Sequence, residues 1–185
     1  MQKLQLWHGG ARWVGGPEVQ PPRAGRYECG PGIYLSTEYS DACKYARGGK
    51  VTTLVTLNPE IRLLENTKLP LAEVLEFVQR LPRLRKRAEI INDLGANVAR
   101  QTVVGDPPAV NASVLVNLCV NYEALSGNTG LALANWLVQQ GIDATWHQAY
   151  GNRHWLVVFN PKIIRAHQVV RACDVTFDMR NLSKQ

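Results

Sequence analysis

The chain has 185 residues, of which 45% are hydrophobic and 19% are charged, and its formal net charge is +6. These values are typical of a folded globular chain with a sizeable core and exclude an intrinsically disordered one. The positive charge favours an acidic partner, such as a nucleotide cofactor, nucleic acid or an acidic protein face, without choosing among them.

The sequence also limits where the protein works. The first seven residues lack the apolar core of a signal peptide, and no run approaches the ~18 apolar residues that a membrane span needs. We therefore expect a cytoplasmic protein with no membrane partner, a prediction that leaves room for delivery into another cell by a route without a signal peptide. The cysteines show no metal-ligand spacing, so we expect reduced thiols and no metal site. They are Cys29, Cys43, Cys119 and Cys173.

The first predicted element is a strand over residues 3–8, where polar and apolar residues alternate. It ends in His8-Gly9-Gly10. A histidine at a strand end can hydrogen-bond a ligand, and the glycines let that ligand approach the backbone closely; a purely structural histidine fits equally well. The loop over 14–29 carries Arg23 and Arg26, with Arg12 just before it, and predicts either a phosphate contact or lid, or a solvated connection.

Residues 30–46 form the central stretch. Glycines open it, residues 33–35 predict a short strand, and Ser36 and Thr37 favour the start of a helix that ends near residues 47–49. Tyr34 and Tyr45 lie eleven residues apart, one on the strand and one on the helix. If the strand packs on the helix, the two rings can wall a slot that suits a flat, electron-poor ring such as nicotinamide. Two ordinary core tyrosines are the alternative.

The middle of the chain changes character. Residues 51–57 predict a strand and 61–64 a further short one. Residues 69–126 predict a helical block, with apolar side chains at helical spacing over 71–81, 83–98 and 114–125. Five basic residues near the start of the second of these helices form what we call the basic cluster: Arg80, Arg83, Arg85, Lys86 and Arg87. It is either a solvated helix face or a contact to nucleic acid or an acidic partner.

The last third returns to strands after a helix over 131–140. Residues 142–150 and 154–160 flank Gly151-Asn152, which is a hairpin signal, and 167–177 predict a final strand. The order of strands, helical block and strands predicts one α+β domain over residues 1–185.

Three landmarks now lie in order along the chain: Leu-Trp-His8-Gly9; Gly32-Ile-Tyr34 with Tyr45 eleven residues later; and Gly141-Ile-Asp-Ala followed by a strand that ends in Asn160-Pro-x-x-Ile. Together they resemble the ADP-ribosyltransferase superfamily, in its diphtheria-toxin and poly-ADP-ribose-polymerase branch, whose motif is His-Tyr-Glu. The resemblance covers residues 1–60 and 127–165. It implies a split β-sheet core, with the helical block as an insertion.

The resemblance also implies roles. His8 would hydrogen-bond the ribose hydroxyls of NAD, the Gly9 backbone would hold the nicotinamide carboxamide, and Tyr34 and Tyr45 would sandwich the nicotinamide ring. Ala42 stands where several relatives carry a serine. The implied activity is mono-ADP-ribosyl transfer from NAD, without a metal, to a macromolecular acceptor, protein or nucleic acid, by an effector, toxin or phage-type modifier.

One motif position departs from the family. Relatives that transfer usually place a glutamate at the start of the last motif strand, where this chain has Trp155, or His154 if the register slips by one. Gln148 and His154 are the nearby polar candidates, but neither supplies the charge of a carboxylate. Three outcomes stay open. A carboxylate enters from elsewhere, such as Asp143 or Glu123; transfer works by positioning alone; or the pocket only binds. The alternative functions are therefore a non-catalytic NAD-binding or nucleic-acid-binding module and an NAD glycohydrolase.

Overall fold

The computed structural model describes residues 4–21, 27–101, 107–149, 151 and 153–182. Within them the chain forms a mixed arrangement of strands and helices, which confirms the α+β class. The strands are β1 (Gln5–Gly10), β2 (Ile33–Ser36), β3 (Val51–Leu57), β4 (Lys68–Pro70), β5 (Ala109–Asn111), β6 (Ala144–Gln148), β7 (His154–Val158) and β8 (Ile164–Val169). The α-helices are α1 (Tyr39–Tyr45), α2 (Leu71–Arg80), α3 (Arg87–Gln101), α4 (Ala112–Asn121) and α5 (Asn128–Gln139).

Six strands form one antiparallel sheet in the order β6-β7-β2-β1-β3-β8, while β4 and β5 pair separately. Strand β1 pairs with β3 along its whole length. Its ladder with β2 consists of a single residue pair, Trp7 opposite Ser36. The sheet is therefore two three-stranded halves joined at one point, which we call the β1–β2 junction.

The two faces of the sheet bury different clusters. Because successive strand side chains point to opposite faces, Leu6, Leu35 and Leu156 pack together on one face. On the other face Trp7 packs with Ala42 of α1 and with residues near the end of the chain. The helices of the block enclose a further apolar cluster. This cluster reaches the sheet at Val157 of β7 and at Phe159, just after the end of β7.

The helical block differs from prediction at the start of α3. The helix begins at Arg87 rather than at Arg83, because Arg83 and Lys86 adopt left-handed backbone conformations, with φ of 57° and 55°. Leu84, which is 7% exposed, anchors this turn in the apolar cluster. Burial of one leucine thus outweighs the helical propensity of its neighbours.

One predicted strand, 61–64, is wrong, and the predicted final strand, 167–177, is found earlier, as β8. Residues 61–64 contribute one isolated bridge, Leu63 to Ala144, and then a 3-10 turn over Leu64–Asn66. Residues 170–177 leave the sheet after β8 and form a 3-10 turn over Ala172–Asp174. Val175 then packs on the Trp7 side of the sheet, so its burial does not require a strand.

Some predictions fall outside the described residues: the loop arginines Arg23 and Arg26, and the hairpin residues Tyr150 and Asn152. In the described part of the chain, no helix has both the length and the apolar character to cross a membrane. The four thiols are free; Cys119 is buried and Cys173 is exposed.

Candidate functional site

A cavity of about 590 Å³ opens at the β1–β2 junction. Its walls come from the end of β1, from β2, from α1 and from the loop that follows β1. This volume lies within the range of small-molecule and cofactor sites, roughly 300–1,000 Å³. The cavity is therefore a candidate site for a ligand of nucleotide size.

Strand β1 places His8 at this cavity. Its Nδ1 lies 3.0 Å from the carbonyl oxygen of Tyr34, across the junction. A carbonyl only accepts, so Nδ1 donates and Nε2 is left as the acceptor of a neutral imidazole. Burial lowers the pKa of His8, and its hydrogen bond to Tyr34 opposes that shift in part. The ring stacks on Trp13, with centroids 4.7 Å apart.

The glycines after His8 provide space. A Cβ on Gly9 would lie 1.8 Å from the carbonyl oxygen of Ala42, so a glycine is needed for α1 to pack on β1. A Cβ on Gly10 would lie 2.7 Å from Nε2 of His8 and would cover the free acceptor of the ring. Both glycines and Ala42 line the cavity. The cavity therefore reaches the β1 backbone directly.

The two tyrosines line the same cavity from β2 and α1. The Tyr34 hydroxyl donates to the Gly30 carbonyl (2.7 Å) and accepts from the Cys29 backbone nitrogen (3.0 Å), which fixes the ring. Burial raises the pKa of Tyr34 well above its usual range. Tyr45 ends α1 and is 55% exposed, so its ring stands at the open side of the cavity.

Helix α1 is placed by its first residues. The Ser36 hydroxyl accepts from the Glu38 backbone nitrogen (3.0 Å), and the helix begins at Tyr39. The N-cap residue is Glu38, whose side chain makes no capping bond, so the predicted helix start at Ser36 and Thr37 lies one to two residues too early. The turn sends the chain from β2 directly into α1, so the strand and helix that carry the tyrosines become neighbours.

Gln148 and His154 do not reach this cavity. They lie opposite each other on β6 and β7, and neither is among the described residues that line the cavity. By strand alternation, His154 points to the sheet face opposite that of Trp155. Trp155 itself lines the cavity. The placement gives no support to Gln148 or His154 as a substitute for the missing glutamate.

Asp143 and Glu123 do not line the cavity either. The Asp143 carboxylate accepts from the Arg62 backbone nitrogen (3.0 Å) and from the Asn160 side-chain amide (2.7 Å). The first bond ties the start of β6 to the segment before residue 63, and the second ties it to the end of β7. The Asn-Pro-x-x-Ile landmark thus has a structural role here.

Three carboxylates that the sequence prediction missed line the cavity. Two of them, Glu18 and Glu28, are exposed, and the third is buried. Asp41 of α1 lines the cavity and is 4% exposed. Its Oδ2 accepts from the Ser36 hydroxyl and from Nε1 of Trp155, both at 3.3 Å. Its Oδ1 accepts from Nζ of Lys44 (2.8 Å) and from Nη1 of Arg153 (3.3 Å). A buried carboxylate therefore contacts the residue that stands at the glutamate position of the resemblance.

Asp41 retains its charge. Burial raises the pKa of this carboxyl, but the hydrogen bonds from Lys44 and Trp155 and the charges of Lys44 and Arg153 outweigh it and hold the pKa below its usual value. The sequence offered one indication of this role: Asp41 lies four residues before Tyr45, and residues at that spacing lie on one side of a helix.

The basic cluster lies between α2 and α3, away from the described lining of the cavity. Arg80 pairs with Glu76 (2.6 Å) and Lys86 pairs with Glu89 (3.2 Å). Arg87 donates to the Leu81 carbonyl at 2.6 Å. Three of the five members thus have partners within the block, and Arg83, Arg85 and Lys86 lie in the turn before α3, so the cluster is not a helix face.

Among the described residues, no group of three or more histidine, cysteine, aspartate and glutamate side chains is arranged to hold a metal ion. What the site binds is therefore inferred from the cavity and the side chains around it. No family model, no curated protein and no solved structure matches this chain.

Proposed function

We propose that this protein is an NAD-dependent mono-ADP-ribosyltransferase that transfers ADP-ribose to a macromolecular acceptor. One observation supports the proposal above all. The residues that the resemblance assigns to NAD line a single cavity although they come from β1, β2 and α1. They are His8, Gly9, Tyr34, Ala42 and Tyr45.

The form of the sheet supports an ADP-ribosyltransferase-like fold. An ADP-ribosyltransferase-like core has a split sheet, and here two three-stranded halves meet through one residue pair, Trp7 with Ser36. The cavity opens at this junction. On this proposal the helical block is an insertion that packs beside the half formed by β6, β7 and β2.

Each group suits one part of NAD. The nicotinamide ring is flat and cationic, and aromatic faces such as those of Tyr34 and Tyr45 attract it. His8 offers a neutral Nε2 that accepts from a ribose hydroxyl. On this proposal the backbone of Gly9, which lines the cavity, holds the carboxamide.

The reaction proposed has a simple balance. The bond between the nicotinamide nitrogen and ribose C1′ breaks, and its electron pair leaves with nicotinamide. A nucleophilic atom of the acceptor bonds to C1′ and releases its proton to solvent. Holding the leaving ring and the ribose in one fixed geometry removes part of the barrier. Because Tyr45 stands at the open side, a macromolecule can approach from there.

Purified protein incubated with NAD, labelled on the adenylate phosphate, tests the proposal. We expect release of nicotinamide and transfer of the label to a macromolecule from a cell lysate. Protease and nuclease digestion of the labelled product then identifies the acceptor as protein or nucleic acid. The absence of both nicotinamide release and label transfer would contradict the proposal.

A second candidate is a non-catalytic NAD-binding module. It is favoured by Trp155, which stands where transferring relatives usually carry a glutamate. Titration calorimetry together with a nicotinamide assay separates the two functions, since a module binds NAD without releasing nicotinamide. An NAD glycohydrolase would release nicotinamide and free ADP-ribose, and would label no macromolecule.

A further inference from the structure

The contact between Ser36 and Asp41 joins the two elements that carry the tyrosines, β2 and α1. On β2, Ser36 shares a face with Tyr34 and lies about 7 Å along the strand. On α1, Asp41 shares a side with Tyr45 and lies about 6 Å along the helix. The Ser36 hydroxyl and Asp41 Oδ2 are 3.3 Å apart. The carboxylate thus lines the same cavity as the two rings and lies next to the elements that carry them.

Trp155 of β7 also meets the contact between Ser36 and Asp41. Ser36 lies opposite Trp155 in the pairing of β2 with β7, and the Trp155 indole donates to Asp41 Oδ2. Residue 155 itself carries no charge. The helix, rather than the strand, supplies the acid at this place in the cavity.

The two oxygens of Asp41 have different partners. Oδ1 takes both cations, Lys44 and Arg153, whose side chains are 57% and 44% exposed. Oδ2 takes only two neutral donors at 3.3 Å, Ser36 and Trp155, a distance just beyond the usual hydrogen-bond range. A ribose hydroxyl can replace either of these weak contacts without disturbing the cations.

Cleavage of the nicotinamide bond moves positive charge. In NAD the charge is on the nicotinamide ring, and as the bond to C1′ lengthens it passes to C1′ and the ribose ring oxygen. A fixed negative charge beside the ribose gains attraction as this occurs, and so stabilises the transition state more than bound NAD. A neutral side chain at the same place cannot do this.

We propose that Asp41 is the catalytic carboxylate of this site, with Oδ2 facing the nicotinamide ribose. The inference rests on the transferase function proposed above. Asp41 forms no covalent bond in it: the electron pair leaves with nicotinamide, the acceptor bonds to C1′, and the acceptor proton goes to solvent.

Asp41→Asn tests this, because it keeps the shape of the side chain and removes its charge. We expect the Kd for NAD to stay within about threefold and the rate of nicotinamide release to fall about 10²- to 10³-fold. Asp174→Asn is a matched control, since it removes an aspartate that pairs with Arg171 (2.8 Å) on an exposed 3-10 turn. The control should release nicotinamide at the wild-type rate.

Two results would overturn the inference while leaving the proposed function in place. One is wild-type release of nicotinamide by Asp41→Asn. The other is a rate that falls only because NAD binding falls by the same factor, as expected of a structural ion pair. A wild-type protein that neither binds nor cleaves NAD would instead remove the proposed function itself.

Lys44→Met provides a second variant if Asp41→Asn does not fold. It keeps the carboxylate and removes the closest cation. We expect release of nicotinamide at no less than about half the wild-type rate, a change of about 0.4 kcal/mol in the activation free energy, because the carboxylate is kept. A loss of 10²-fold or more would show that the ion pair is what matters, and would overturn the inference.

Discussion

His8 and Tyr34 join the two halves of the sheet through a hydrogen bond of 3.0 Å, from imidazole Nδ1 to a backbone carbonyl. Only one backbone pair, Trp7 with Ser36, links the same two strands. The histidine thus has two tasks. Its Nδ1 holds the junction, and its Nε2 stays available beside Gly10, whose missing side chain leaves that nitrogen uncovered.

His8→Ala should weaken NAD binding. The variant loses the Nε2 acceptor, and a hydrogen bond of this kind contributes about 0.5–1.5 kcal/mol, so we expect a Kd raised about 3- to 10-fold. Titration calorimetry with NAD measures it. His154 of β7, which does not line the cavity, gives the control, His154→Ala, which should bind as wild type. Equal affinity in both variants would show that His8 does not contact the ligand.

Gly9→Ala should destabilise the fold. The added Cβ would meet the Ala42 carbonyl at 1.8 Å, and backbone has to move to relieve this overlap. Overpacking of this kind costs about 1–3 kcal/mol. Gly95→Ala in α3 is the counterpart, since its Cβ meets no atom within 4 Å and should stabilise the helix by about 1 kcal/mol. Urea unfolding compares the two, and a neutral Gly9→Ala would contradict the close packing of α1 on β1.

Tyr34→Phe should separate stability from binding. It removes the hydroxyl that Gly30 and Cys29 share but keeps the aromatic face. Leaving buried backbone groups unpaired costs about 1–3 kcal/mol, so thermal unfolding should shift downward while saturating NAD still binds the folded protein. Weakened NAD binding with unchanged stability would assign the hydroxyl, rather than the ring, to the ligand.

Tyr45→Ala should show the opposite pattern. The side chain is 55% exposed, so its loss should change stability by no more than about 0.5 kcal/mol. NAD affinity should nevertheless fall, because one wall of the nicotinamide slot is gone; a stacked aromatic pair contributes about 0.5–1.5 kcal/mol. Titration calorimetry measures the NAD affinity, and thermal unfolding of the same sample measures the stability. Unchanged affinity would place the nicotinamide ring elsewhere.

The buried imidazole should make stability depend on pH. The pKa of His8 is lowered in the fold, so near pH 6.5 the unfolded chain binds more protons than the folded one. Stability therefore rises with pH up to about 6.5 and is lost as pH falls below it. The thermal midpoint of the wild type should drop more between pH 7.5 and 5.5 than that of His8→Asn. If the thermal midpoints of the two proteins fall equally with pH, His8 is not the group that causes the pH dependence.

The sequence pattern predicted the histidine and the two tyrosines that line the cavity, but it did not predict the carboxylate, Asp41. His8, Tyr34 and Tyr45 belong to short local motifs, in which alternation and helix starts indicate the element that carries each side chain. Asp41 depends on Trp155 and Arg153, which lie 114 and 112 residues away along the chain. Local spacing holds no information on such partners, so Asp41 looked like an ordinary charge near a helix start.

The wrong element boundaries have the same origin. Strand β3 begins at Val51, so β8 can continue by at most two residues beyond Val169, which pairs with Thr53. Val170 still forms two hydrogen bonds with Thr52, and Val175 then packs on the Trp7 side of the sheet. Within 170–177 Val175 is buried, whereas Phe177 is 86% exposed, so the strand-like pattern corresponds neither to a ladder nor to one buried face. Where the ladder ends depends on the neighbouring strand, which is set elsewhere in the chain.

The crystal structure of the wild-type protein with a non-cleavable NAD analogue, in which a methylene replaces the ribose ring oxygen, tests the central claim most directly. We predict the nicotinamide ring between Tyr34 and Tyr45, and a ribose hydroxyl within hydrogen-bond distance of Nε2 of His8. A dinucleotide bound outside the β1–β2 junction, or crystals whose cavity stays empty at saturating analogue, would contradict the account.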